Sequence, residues 1–561
     1  MPAALELRPA PSVRRAPRRR NRTGDALLCT AAAAAAFAVV LLLLGVRYEV
    51  NDDALISCIA AGAYGDDTVH LCYVNLLVGW LLKPFYTLLP GWNWYVLFSV
   101  AGLFGCAVLL CRGAVDRFGR LPGLCLWGCG MLLVGVDALH AFQYTKNAAI
   151  FAVTGWLLLA SPSPRRSRVV AGCALLLAGA CLRWQSFAAV TAMAAPLLVL
   201  TWYRTPAPRR GRTAWRFLLP LALCLAVWQA DRWAYQLDPD WNAWQRYNTV
   251  RTEISDHRLQ YLSADGAADY GLSAADYALL DSWDYGDTAL YPLDELQTLA
   301  ETLPHRTPLN AVRETLLALP DWLLTTLPGW AVVAALLGWL AGCRHSRAVQ
   351  LAGLATLAVF AAGVYWLVLG GRTPWRTQYL MLMSCAVLLA ALWNPGLRPS
   401  RRLAAAALVL CATVSFGTLR QTWRSACQFR ADHLPGNEKE QAIQALLDDK
   451  EHLYVVSTAL EDDLAGKDVW HTRQAGAFDH LAFLGGWAAQ SPLYGASLRA
   501  SGLDPTAPLL DAVDNPGVYF VDFAGVQDKC DALAQRLGLT VRAEAVDGCS
   551  WWTVYRLTTD P

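Results

Sequence analysis

Charge is the scarcest property of this sequence. Only 16% of its 561 residues are Asp, Glu, Lys or Arg, against about 25% in a soluble globular chain. Several catalytic signatures are also missing. No Gly-rich loop would cradle a phosphate, no zincin pair is present and no G-x-S-x-G elbow occurs. The 16 cysteines follow no metal-ligand spacing. Cys106, Cys111, Cys125, Cys129, Cys173 and Cys181 lie in apolar runs as small apolar residues. Cys530 and Cys549 lie in the polar C-terminal part, where a disulfide and two free thiols are both open. There is no internal repeat, and low complexity is confined to Ala31–Ala36.

What the chain has instead is apolar length. Hydrophobic residues make up 55% of it and the mean hydropathy is +0.30. Runs of roughly 17–25 apolar residues recur, the length that crosses a bilayer core. The net charge of +2 hides a partition, because residues 428–561 carry 20 acidic against 10 basic side chains. Positive charge gathers at the ends of the apolar runs. The tail 1–25 holds Arg8, Arg14, Arg15, Arg18, Arg19, Arg20 and Arg22 before the run Ala26–Val46. A cleaved signal peptide has a core of only ~7–15 residues, so a retained signal anchor is expected. A polybasic flank before a span is a topology signal, and no nucleic-acid partner is expected.

The Lys/Arg bias of short loops orients the remaining runs. Trp94–Leu110 ends at Arg112, Arg117 and Arg120. Leu121–Ala138 and Ala148–Ala160 follow, closing on Arg165, Arg166 and Arg168. Val169–Leu182 and Phe187–Trp202 lead to Arg204, Arg209, Arg210, Arg212 and Arg216. Phe217–Trp233 then runs out to a long polar stretch. Leu323–Leu340 returns to Arg344 and Arg347. Leu351–Leu369 and Tyr379–Leu392 reach Arg398, Arg401 and Arg402, and Leu403–Leu419 is the last. The fold expected is a polytopic α-helical membrane protein of about eleven spans, N-terminus cytoplasmic and C-terminus outside. Its transmembrane domain covers 26–423, with external loops 48–90 and 234–319. Val74–Leu89, broken by Lys83 and Pro84, is expected to lie at the interface. Residues 424–561 alternate strand-like runs (Leu453–Ser457, Val518–Phe523, Trp551–Leu557) with helix-like ones (Glu438–Leu447, Gln527–Leu537), predicting an extracytoplasmic α/β domain.

Candidate chemistry gathers at the external ends of spans. Asn51-Asp52-Asp53 follows the first span. Adjacent carboxylates raise one another's pKa or hold a cation, and a raised carboxylate is a general base. The same triplet is also a plausible helix cap before Ala54-Leu55-Ile56. Asp66, Asp67 and His70 follow in the loop, as a site or a solvated turn. Arg183, Arg372 and Arg376 break the topology rule by lying outside. Guanidinium groups bind phosphate bidentately, and Trp184 and Trp375 beside them suit a lipid headgroup or sugar face. Snorkelling is the plain alternative. Asp137, His140 and Lys146 line the same cavity or satisfy an interhelical hydrogen bond. Residues 241–256 have helical spacing that aligns Tyr247 with Arg251, fit for carbohydrate or for packing.

Tyr48-Glu49-Val50-Asn51-Asp52-Asp53, Ala61-Gly62-Ala63-Tyr64 and Pro90-Gly91-Trp92-Asn93-Trp94-Tyr95 resemble a family of uncharacterised multi-span proteins of Gram-positive gut bacteria. Tyr247-Asn248 with Arg251 and Asp256, Gly371-Arg372, Gly485-Gly486-Trp487 and Ser491-Pro492 fit the same family. The architecture is similar to the GT-C superfamily of membrane glycosyltransferases. That resemblance implies a polyprenyl-phosphate sugar donor, a glycan or protein acceptor outside a bacterial plasma membrane, and a role in cell-envelope polysaccharide. It implies a catalytic acidic motif at Asp52 and Asp53, with the external arginines Arg183, Arg372 and Arg376 holding the phosphate; His70, His140, Lys146, Tyr247 and Arg251 are substrate-binding candidates from their own places in the chain. A divalent cation is left open, since no later acidic residue can be assigned. A transporter or flippase for a lipid-linked glycan would need charges near the bilayer midplane. A noncatalytic assembly protein is the third reading.

Overall fold

The computed structural model describes residues 22–559 apart from 66–67, 163, 343–345, 394–398, 433–436, 487, 501 and 524. The basic tail before residue 22, Asp66, Asp67, Arg344, Arg398 and Trp487 therefore lie outside the described residues.

The apolar runs are helical, as a chain without water must satisfy its backbone internally. Among the described residues seven helices are long and apolar enough to cross a membrane: Thr23–Leu43, Trp94–Phe118, Arg120–His140, Trp184–Arg204, Ala207–Leu237, Arg347–Leu369 and Arg401–Asp432. The count is eight if Pro308–Thr325 and Leu327–Ala341, bent by 91°, form one broken span. Three expected spans are shorter. Tyr144–Leu159 has 16 residues, and Arg166–Leu182 and Trp375–Ala391 have 17 each. At ~1.5 Å per residue they fall about one turn short of a ~30 Å core. Tyr144–Leu159 is the central helix, buried on nearly every side, and apolar beyond a polar first turn of Thr145, Lys146 and Asn147 except at Thr154.

Two expected boundaries move. The run Leu323–Leu340 is not one helix, because the chain turns at Thr326, whose hydroxyl donates to Trp322 O at 2.7 Å. Gly329 makes the turn possible, since a Cβ there would lie 2.1 Å from Trp322 O. The final helix continues to Asp432, past residue 424, its last turns carrying polar side chains.

The bundle has two distinct ends. One holds the Arg-rich loops, tied by Arg120 to Asp25 at 2.6 Å, Arg168 to Asp116 at 2.5 Å and Arg117 to Ala391 O at 2.8 Å. The other holds loops 48–90 and 234–319 and the C-terminal domain, which share one hydrophobic core. Gly476 N–H donates to Gly62 O at 2.9 Å, and Gly286 N–H to Leu484 O at 2.7 Å. The domain's five-stranded sheet runs Leu481–Phe483, Leu453–Val456, Val518–Asp522, Thr553–Thr559, Val541–Gly548. The first three strands are parallel and the last two antiparallel. Cys530 is buried and Cys549 exposed, and both are free.

Candidate active site

The first span hands the chain to the site through a short parallel pairing. Arg47–Tyr48 pairs with Ala141–Phe142, and Glu49 N–H donates to Phe142 O at 3.0 Å. Helix Asp52–Ala60 begins three residues later. Asn51 precedes it with helical dihedrals and no side-chain cap bond. No side chain of the triplet therefore caps this helix in the way the sequence suggested.

Asp52 and Asp53 then diverge. Asp53 is enclosed, its carboxylate accepting from Tyr95 Oη at 2.8 Å and from Tyr144 N–H at 3.2 Å. Burial pushes its carboxyl well up. It joins the helix to its neighbours and has no exposed surface, whereas Asp52 has some. Asp52 keeps a partly open side chain, with Oδ2 3.7 Å from Arg376 Nη2. That separation is an ion pair too long for a hydrogen bond.

Arg376 meets this carboxylate, and two further guanidinium groups lie in the same electrostatic neighbourhood. Arg376 lies in the first turn of Trp375–Ala391. Arg372 lies in the preceding turn and pairs with Asp256. Gly371 allows that turn at φ +74°, and a Cβ there would meet Gln260 Nε2 at 2.4 Å. Burial lowers the Arg372 pKa to about 10, helped by the positive charges of Arg376 and Arg183 and opposed by Asp52. Arg183 separates helices Arg166–Leu182 and Trp184–Arg204 in extended backbone. Its guanidinium rests 5.5 Å from the Tyr73 ring centre and 5.3 Å from that of Tyr144. Arg251 approaches from loop 234–319, donating from Nη2 to Tyr73 Oη at 3.1 Å and to Asn248 Oδ1 at 2.7 Å. Asp52, Arg183, Arg372 and Arg376 thus share one neighbourhood, with Tyr73 and Tyr144 as walls.

The other expected residues have different surroundings. Lys146 is wholly buried between Glu49 at 2.5 Å and Asp137 at 2.8 Å. It neutralises those acids and is closed to substrate. His140 Nδ1 lies 3.0 Å from Gly45 O. His70 stacks on Trp241 at 4.8 Å beside Tyr235. Tyr247 is buried and donates to Tyr285 O at 3.2 Å. His140 Nδ1 and Tyr247 Oη are thus spent on backbone carbonyls, while the His70 ring is held by aromatic packing.

The sequence reading missed what the C-terminal domain brings. Helix Thr458–Ala465 packs on helix Asp52–Ala60 and carries Glu461 and Asp462. Burial raises Glu461 to about 8, with Asp462 adding to the effect, and Tyr64 Oη donates to it at 3.3 Å. Asp462 is also raised, by burial, and Asp52 adds to the shift. The acidic run Glu461-Asp462-Asp463 was the only signal available. Among the described residues no group of three or more His, Cys, Asp or Glu is set to hold a metal.

No family model matches this chain, and no curated protein matches it. Among solved structures it is similar to the crystal structure of ArnT from Cupriavidus metallidurans bound to undecaprenyl phosphate. The TM-score is 0.40 at 15% sequence identity, over 96% of this chain and 98% of that one.

Proposed function

We propose that this chain is a membrane glycosyltransferase that moves a sugar from a polyprenyl-phosphate-linked donor to an acceptor hydroxyl. The observation that carries the reading is the Asp52 carboxylate among Arg183, Arg372 and Arg376 at one end of an apolar bundle. A carboxylate that abstracts a proton and a cluster of cations that holds a phosphate are the two needs of this displacement. Asp52 takes the proton of the acceptor hydroxyl as its oxygen attacks the anomeric carbon. The bond from that carbon to the phosphate oxygen breaks, and the guanidinium groups take up the charge left on the lipid phosphate. Asp53, Lys146 and Glu49 hold the frame. The bundle would cross a bacterial plasma membrane about eleven times with its Arg-rich end in the cytoplasm. The C-terminal domain would then face the cell envelope, where a glycan or protein acceptor waits.

The test is transfer from a polyprenyl-phosphate sugar in reconstituted membranes. Asp52→Asn keeps the shape of the side chain but cannot act as a base, and the rate should fall by ~10²–10⁴. The variant should unfold at the wild-type temperature. Wild-type rates in Asp52→Asn remove the base from the mechanism. Absence of transfer by the wild type from every lipid-linked donor tried moves the chain to the flippase class.

A further inference from the structure

The three parallel strands of the C-terminal domain are wound like an open doubly wound sheet. The chain leaves Leu453–Val456 and crosses through helix Thr458–Ala465 to Leu481–Phe483 on one side. It then passes back to Val518–Asp522 on the other side. The strand order therefore reverses between Leu453–Val456 and Val518–Asp522. Sheets of this kind take ligands in the crevice at that reversal, with an anion at the N-terminus of the helix after the first strand.

In this chain loop 234–319 fills the crevice. Asp284 Oδ1 accepts from Thr458 N–H at 2.9 Å and from Thr458 Oγ1 at 2.6 Å, where that helix begins. Its other oxygen, Oδ2, meets Lys529 Nζ at 3.1 Å. Lys529 lies on the helix after the third strand and also donates to Asp522 Oδ2 at 2.5 Å, at that strand's end. Asp284, Asp522 and Lys529 are all buried. Both sides of the contact are cut back to glycine. A Cβ on Gly485 would lie 1.7 Å from Trp283 O, and one on Gly286 would lie 2.3 Å from Leu484 O.

We infer that Asp284 is an internal ligand, whose carboxylate takes the anion position of the α/β domain and turns its crevice into a socket for loop 234–319. The domain therefore binds its own chain where related layouts hold a soluble phosphate. The socket also aligns the candidate active site, a clause that rests on the transferase reading. Thr458 starts the helix that bears Glu461 and Asp462, and Trp283 lies beneath the Arg251 guanidinium at 4.8 Å. Asp284 is thus a positioning residue.

The experiment is thermal unfolding of the full chain in detergent, with sodium formate compared with sodium chloride at matched ionic strength. Formate is the carboxylate that Asp284→Ala deletes. The variant should lose several degrees of Tm in chloride and recover at least half of the loss in formate. Wild type and Asp284→Asn, whose socket is full, should not distinguish the salts, and phosphate should not raise the wild-type Tm. Wild-type Tm in Asp284→Ala, or formate acting no better than chloride, overturns the socket. Should Asp284→Ala not fold, Lys529→Met reads the same charge pairing. Its Tm deficit should narrow as pH falls and the stranded carboxylates protonate, and a deficit independent of pH overturns the inference. Transfer by Asp284→Ala should return with formate alongside Tm. A formate response in a protein whose wild type transfers nothing would strike the transferase reading and leave the socket standing.

Discussion

At the scale of single residues, the site is a balance of buried charge. Lys146 stands between Glu49 and Asp137, and Glu49 also feels Arg376. With Lys146 removed, Glu49 would draw Arg376 away from Asp52. Lys146→Met should therefore cost about 3–5 kcal/mol, the usual cost of leaving a buried ion unpaired. Adding Glu49→Gln should restore most of it. Denaturant unfolding of both variants checks this, and a double variant weaker than the single would contradict it. Glu461 offers a second test. Its carboxyl sits near 8 in the fold against an ordinary 4.5. A raised folded pKa contributes stability that is full below the ordinary value and is lost as pH rises through the folded one. Glu461→Gln does not titrate, so its Tm relative to wild type should climb as pH rises through that window. A parallel pair of Tm curves would remove the buried acid from the pH dependence. The site was half legible in sequence. Arg183, Arg372 and Arg376 showed themselves as arginines at the wrong ends of spans. Asp52 and Asp53 looked alike, because sequence holds no sign that Tyr95 and Tyr144 enclose one of them. Glu461 and Asp462 lie about four hundred positions from Asp52, and only tertiary packing brings them near.

At the scale of elements, length and hydropathy located the helices well, since a bilayer imposes both. They failed where the run is continuous but the backbone is not. Leu323–Leu340 is apolar on average, yet it holds Thr325, Thr326, Pro328 and Gly329, and there the chain turns into a second helix. The strand Leu481–Phe483 was missed because three residues carry no period to read. The glycines after it are better guides, as they mark where two segments come close. Gly485→Ala would force the strand end from Trp283 and should cost about 1–3 kcal/mol, as overpacking does. Proteolysis within 234–319 should speed up in that variant. Unchanged cleavage would mean that the loop is held elsewhere.

At the scale of the whole molecule, the two ends of the bundle divide labour. Arginines crowd one end, and acids, aromatics and the C-terminal domain crowd the other. Cysteine labelling in intact cells should reach a cysteine placed at 289, whose alanine is exposed on the loop, and not one placed at 165. Labelling at 165 from outside would invert the topology proposed. The socket around Asp284 has a further consequence, for the making of the protein. Thr458 follows Asp284 by 174 residues, and four apolar helices must be threaded between them. Throughout that interval a newly made loop 234–319 has neither the helix terminus nor the lysine that will bury its carboxylate. The loop cannot reach its final fold before the helix that begins at Thr458 and the one that bears Lys529 have been made.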